Sequence, residues 1–254
     1  MSKKIVYYSG CFANYYDPEV GKALVRVLER NSFEVIVPEQ KCCGMPMMAN
    51  VNIKGAEKNA RYNLESLAKA AADGLDIVTT CPSCHFMLKK EYLNFFDSDK
   101  ARFVSQHLHF IDDYLLALHR AGELDTSFGE LPLKVVYKVP CHLKVQNIIK
   151  EPVELLKLIP GLSVVGVNTT CCGMGGSYGM KKSNYDMGVE LAANVWQEVR
   201  AAQPDKAATD CGGCKLQIEA GTGVQAIHPI VLLDQAYKSL QRLSQEPLMK
   251  EGAR

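Results

Sequence analysis

The sequence predicts an α/β fold, two tandem duplicated domains over residues 1–125 and 126–254, each carrying a mainly parallel sheet. Three observations predict it. Short β-branched runs alternate with helical patterns along the chain, the cysteine pattern is written twice, and each cysteine group follows a run that reads as a strand.

The strand runs are IVYY before Cys11, EVIVP before Cys42, DIVTT before Cys81, VVYKV before Cys141, SVVGV before Cys171 and a weaker AAT before Cys211. Between them, PEVGKALVRVLERN sets Val20, Leu24, Val27 and Leu28 on one helical face, and KGAEKNARYNLESLAKAAADG closes at Gly74. EPVELLKLIPG and SNYDMGVELAANVWQEVRAA are the helices of the second half. Alternation of this kind is the signature of βαβ units, so each half reads as a small, doubly wound, Rossmann-like domain, with the join near GELDTSFGELP at 122–132.

The duplication is read from the cysteines. Cys141 lies 130 residues after Cys11, Cys171 and Cys172 lie 129 after Cys42 and Cys43, and Cys211 and Cys214 lie 130 after Cys81 and Cys84. The flanks agree: KKIVYYSGC with LKVVYKVPC, QKCCGM with TTCCGM, DIVTTCPSC with KAATDCGGC. In parallel sheets ligands gather at the carboxyl ends of the strands, so five thiols are expected to converge at that edge in each half. Helices that start after these loops aim N-terminal amides at an anion formed there.

Composition narrows the chemistry. Lys and Arg number 29 against 28 Asp and Glu, without a long block of like charge, so nucleic acid is not an expected partner. No run of 18 apolar residues occurs, and MSKKIVYYSGCF lacks the apolar segment of an export signal. The expected location is cytoplasmic, with any membrane association peripheral or through partners, at the cytoplasmic face of the inner membrane. In that compartment thiols stay reduced, and ten cysteines point to metal or catalysis and away from a disulfide framework.

Five thiols in each half exceed the four that a structural zinc ion or a cubane iron–sulfur cluster takes. Neighbouring side chains on extended backbone point apart, so Cys42 and Cys43, like Cys171 and Cys172, suit two different metal atoms or a bridging thiolate. A larger or irregular iron–sulfur cluster fits best, with zinc in one half as the alternative. CPSC and CGGC also match a thioredoxin-like dithiol, a reading weakened by the three further cysteines at repeated distances. GMGGSYG lacks the lysine–hydroxyl pair of a P-loop and the GxGxxG spacing. Gly173, Gly175 and Gly176, with Gly44 in the first half, read instead as backbone that makes room for a cluster and turns amides toward it.

The remaining candidates are weaker. His142 and His85 stand where the repeat has Phe12 and Lys215, so neither is required by the duplicated site. His107 and His228 are expected to cap or pack, Met45, Met47 and Met48 to form an apolar wall, and Lys181 and Lys182 to be surface charge. No carboxylate pair or Ser/His/Asp set stands out.

Cys, about thirty residues, Cys-Cys-Gly, about forty residues, Cys-x-x-Cys, twice over, resembles the CCG-type cysteine-rich domain family, the heterodisulfide reductase HdrB-like proteins. The likeness extends to the C-terminal part of the C-type subunits of anaerobic glycerol-3-phosphate dehydrogenases, through YYSGCFANYYDPEVGKALVRVL, KCCGMPMMAN, LPLKVVYKVPCH, CCGMGGSYGMKKSNY and TDCGGCKLQIEAGT. The resemblance implies that each pentad ligates a noncubane [4Fe-4S] cluster, with zinc in one half of some relatives. It implies a subunit passing electrons between a flavoprotein dehydrogenase and a quinone pool or a disulfide. The sequence starts at the first CCG repeat without the ferredoxin-like CxxCxxCxxxCP runs of those C-type subunits, so a cubane relay is expected on a separate ferredoxin-like iron–sulfur subunit.

Overall fold

The computed structural model describes residues 3–96 and 98–245, with the side chains described as far as residue 241. The first half runs β1 (Lys3–Tyr7), α1 (Gly10–Tyr15), α2 (Pro18–Arg30), β2 (Phe33–Ile36), α3 (Met45–Ala49), α4 (Ile53–Ala70), β3 (Ile77–Thr79), α5 (Pro82–Phe86), a π-helical turn (Met87–Glu91), α6 (Tyr92–Phe95), α7 (Asp99–His107), β4 (Leu108–Phe110) and α8 (Ile111–Arg120). The second runs β5 (Lys134–Lys138), α9 (Cys141–Lys144), α10 (Glu151–Leu156), β6 (Ser163–Asn168), two 3₁₀ turns (Tyr178–Met180 and Lys182–Asn184), α11 (Tyr185–Ala202), β7 (Lys206–Ala208), α12 (Gly212–Thr222), β8 (Ala226–Ile227) and α13 (Pro229–Gln245).

Among the described residues all strand pairs are parallel, in two four-stranded sheets ordered β2-β1-β3-β4 and β6-β5-β7-β8. The six runs read as strands in the sequence are β1, β2, β3, β5, β6 and β7. β4 and β8, three and two residues long, are too short to show a period in sequence and complete one edge of each sheet. The order reverses direction between β1 and β3, and between β5 and β7, which opens a crevice at the carboxyl ends of those strands.

Because both faces of each sheet are covered, the central strands read as continuous apolar runs, yet the faces differ. Ile5 and Tyr7 of β1, with Val135 and Tyr137 of β5, point into one core that also holds Leu24, Val27 and Leu28 of α2 and Ile230, Leu233 and Tyr237 of α13. Val6 and Tyr8 point the other way, into a core of the first half alone, and Val136 into its counterpart in the second.

The halves exchange helices. α13 of the second half packs on α2 of the first, and α8 of the first packs on α10 of the second. Arg26 of α2 grips the nearly inaccessible Asp234 of α13 through two hydrogen bonds of 2.9 and 2.7 Å. The join at 122–132 lies inside this packing: Phe128 is 4.7 Å from the Tyr237 ring, and the Gly129 amide donates to the Ala236 carbonyl at 2.9 Å. Among the described residues no helix is long and apolar enough to cross a membrane.

Candidate metal centre

In the first half all five thiols meet at the carboxyl edge of β1, β2 and β3. Hydrogen-bonding contacts run from Cys11 to Cys42, Cys42 to Cys43, Cys43 to Cys84 and Cys84 to Cys81. Cys43 and Cys84 are buried, Cys42 and Cys81 half-buried, and Cys11 exposed. In the second half Cys214 Sγ donates to Cys172 Sγ at 3.2 Å and also contacts Cys211, while Cys141 feels the charges of Cys171 and Cys172. Cys172 and Cys214 are buried there and Cys171 is exposed, so the adjacent thiols of the second half part between core and surface, whereas Cys42 and Cys43 remain in contact. No group of three or more His, Cys, Asp or Glu side chains among the described residues is arranged to hold a single metal ion.

Neighbouring thiols shift one another in opposite directions. The neighbouring thiols of Cys11 and Cys43 hold Cys42 down to about 2. Cys81 is lowered by Cys84, and Cys172 is brought down to about 6 by Cys214. Their partners Cys11, Cys43, Cys84 and Cys214 are pushed up, each by a neighbouring cysteine first. Thiolate character at several sulfurs is what a metal ligand set needs. Backbone amides add to it at Cys42, from Gly44, and at Cys172, from Met174, and the Gly173 amide donates to Cys171 Sγ at 3.3 Å.

The four glycines expected to clear space have other neighbours. A Cβ on Gly173, whose φ is +79°, would stand 1.9 Å from the Gly188 carbonyl oxygen, so its bareness seats the loop on α11. A Cβ on Gly44 would meet Ala56 of α4 at 3.1 Å, one on Gly175 would meet Tyr178 at 3.3 Å, and Gly176 faces Ala49. The glycine that faces a cysteine sulfur closely is Gly10, where a Cβ would lie 2.8 Å from Cys84 Sγ. Its signal in the sequence was the glycine directly before Cys11, where the repeat has Pro140.

Behind the first pair lies a polar network absent from the reading of the sequence. Tyr8 donates to the Lys41 carbonyl at 2.6 Å, Tyr92 donates to the Cys43 carbonyl at 3.0 Å, and Asn63 donates to Tyr92 at 3.1 Å and accepts from the Lys41 amide at 2.8 Å. These bonds fix the backbone that carries Cys42 and Cys43. Met45 and Met48 pack against the core that contains Cys43, and Met47 Sδ accepts from Asn59.

Each site also touches the other half. Phe12, next to Cys11, fills the space over Gly212, where a Cβ would meet its ring at 2.2 Å, and Lys215 pairs with Asp17 at 2.6 Å. Reciprocally, His142, next to Cys141, shares a 2.9 Å hydrogen bond with Ser83 and stacks on Phe86 at 5.2 Å, and His85 bonds Gln146 at 2.8 Å. Burial holds His85 neutral by pushing it down to about 3, and lowers His142 as well. The histidines beside the cysteines therefore bond across the join. His228 caps α13 by accepting from the Ile230 amide at 3.1 Å, and its Nε2 lies 3.0 Å from the Thr80 carbonyl. His107 ends α7 with its ring 4.4 Å from Phe103, and Lys181 and Lys182 are exposed.

A carboxyl pair does lie at the join. Asp112 of α8 is fully buried against Asp210, which directly precedes Cys211 and accepts from the Tyr137 hydroxyl. Burial first, and then the neighbouring Asp210, raise the Asp112 carboxyl well above the usual carboxylate range. The two positions are 98 residues apart in the chain, a separation at which spacing carries no signal.

The model of the CCG cysteine-rich domain matches residues 5–89 and again 135–219. The chain belongs to this cysteine-rich domain family. The C-type subunit of the anaerobic glycerol-3-phosphate dehydrogenase of Escherichia coli K12 is 35% identical over 235 residues, 92% of this chain and 59% of that protein. The B-type subunit of the fumarate reductase (CoM/CoB) of Methanothermobacter marburgensis is 32% identical, over 92% of this chain and 46% of the relative. Lactate utilization protein A of Geobacillus thermodenitrificans is 30% identical, over 87% and 92%. The chain thus spans about half the length of the first two relatives and nearly all of the third. A crystal structure of a hypothetical protein from Helicobacter pylori shares the fold at TM-score 0.54 and 10% identity, over 94% of this chain and 51% of that one.

Proposed function

We propose that this CCG protein is an iron–sulfur electron-transfer subunit of Rossmann-like halves, each pentad holding a noncubane [4Fe-4S] cluster. It takes electrons from a flavin-dependent dehydrogenase, glycerol-3-phosphate being the first candidate substrate of that partner, and passes them to the quinone pool. The observation that carries the reading is the convergence of five thiols at one strand edge, seen as a continuous chain of contacts in the first half. Such a cluster, when bound, supplies one-electron storage, and Cys11, Cys42, Cys43, Cys81 and Cys84, with Cys141, Cys171, Cys172, Cys211 and Cys214, would hold it. The likeness to named dehydrogenase and reductase subunits supports the choice of partner.

The test is metal and sulfide analysis of the whole chain purified anaerobically, about four iron and four sulfide being expected per loaded half. Two zinc ions with no acid-labile sulfide would overturn the reading. Copurification of a flavoprotein is the expected second result.

A second reading, reduction of a disulfide at one cluster, is favoured by the exposed Cys171, whose loop also carries the exposed Tyr178 and Met180. Electron paramagnetic resonance of the anaerobic protein titrated with thiols and disulfides separates the two. A spectrum indifferent to every thiol ligand sinks the second reading.

A further inference from the structure

Lys138 is the last residue of β5, three positions before Cys141, and its side chain is completely buried. Its ammonium donates to the neighbouring Val139 carbonyl, and no carboxylate pairs with it among the described residues. A buried ammonium without a counter-ion is costly by several kcal/mol. The duplicated half supplies the control. The same position there is Tyr8, also fully buried, which spends its hydroxyl on the Lys41 carbonyl.

Strand alternation decides which way the charge faces. Tyr137 points into the core shared by the two halves and donates to Asp210, so Lys138 points to the opposite face, which Val136 also lines. Three positions before Cys141 on that face, Lys138 is near enough for its charge to reach the sulfurs of Cys141 and Cys172. Of the other cations nearby, Lys215 pairs with Asp17, and Lys144, whose charge also reaches Cys141, sits at the Thr169 carbonyl on the surface, where solvent screens it. In the first half, Lys41 precedes the cysteine pair but lies over the Tyr62 ring, exposed to solvent that screens it.

We infer that Lys138 is the built-in counter-charge of the second centre, placed to make that centre accept an electron more readily than the first. Reduction adds one electron, and so one negative charge, to the thiolate-bound group. A buried positive charge beside it favours the reduced form, whereas Tyr8 beside the first centre contributes none. One electron leaving the first centre and arriving at the second then runs downhill. The inference rests on the iron–sulfur reading above.

The experiment compares wild type, K138M, K138R and Y8F as whole, anaerobically prepared chains, by iron and sulfide content and by redox titration followed by electron paramagnetic resonance. The expected result is two reduction waves in wild type. K138M moves the higher one down by a tenfold or greater change in equilibrium constant, about 59 mV for one electron. K138R restores it, and Y8F leaves it in place. Loss of half the iron in K138M with recovery in K138R supports the same role, because charge then governs loading. If K138M and wild type carry equal iron and titrate alike, Lys138 has no such role and the iron–sulfur reading stands. If K138M and K138R both lose iron, packing and not charge is what the position supplies. Wild type without iron or sulfide overturns the inference and the reading beneath it.

Discussion

The two halves place the same five thiols at the same strand edge and support them by different means. In the first, Tyr8, Asn63 and Tyr92 hold the backbone of the cysteine pair by side-chain hydrogen bonds. In the second, the loop after the pair is seated by bare backbone: Gly173 and Gly179 have no room for a Cβ, the tighter at 1.9 Å from the Gly188 carbonyl oxygen, and one on Gly188 would stand 3.1 Å from the Gly173 oxygen. The same five thiols thus recur in a duplicated chain while the local fold that props them up differs between the copies.

The largest effect expected from breaking this contrast is at the matched glycines 44 and 173. G173A drives a Cβ into the Gly188 backbone, which cannot swing away, and should cost about 3–5 kcal/mol of unfolding free energy. G44A meets Ala56 no closer than 3.1 Å, a looser fit, and should cost about 1–2 kcal/mol, mainly for its left-handed conformation. Urea unfolding measures both, and equal losses would contradict a backbone lock confined to the second half.

Next is the contact across the join. G212A forces the Phe12 ring aside and should cost about 2 kcal/mol, most of it recovered in the F12A/G212A double variant, giving a coupling of about 1–2 kcal/mol in a double-mutant cycle. The reciprocal contact is a hydrogen bond, so S83A should cost only about 1 kcal/mol.

A smaller effect depends on pH. The Asp112 carboxyl is held protonated by the fold but ionises near pH 4 in the unfolded chain, so stability is lost as pH rises from about 4 toward the raised folded value. D112N has no proton to lose. Its stability relative to wild type should therefore improve as pH rises above about 4, by about 1–3 kcal/mol, and parallel pH profiles would count against a raised Asp112 carboxyl. The smallest change is Y92F, which removes one hydrogen bond to the Cys43 carbonyl and should cost about 1 kcal/mol by the same unfolding assay.

The sequence made the α/β class, six of the eight strands and all ten thiols legible, because strand periodicity and cysteine spacing are local or repeated signals. What escaped was long-range or conformational. The pairing of Asp112 with Asp210 depends on how helices cross between halves, which no window of sequence contains. The bareness at Gly173 was visible, but the neighbour that requires it, Gly188, lies a loop away on α11. Lys138 was within reach: a charged residue at an inward strand position, aligned with Tyr8 by the repeat, is a conflict that the duplication itself exposes.

The exchange of α8 and α13 between the halves has a consequence for descent. Two identical copies of the ancestral unit would have met in this same reciprocal way as separate chains, each lending its last helix to the other. In such a homodimer every substitution appears at both sites at once. Joining the copies in one chain frees each site to mutate alone, and Tyr8 in one half with Lys138 as its twin in the other is a difference only the fused form can keep.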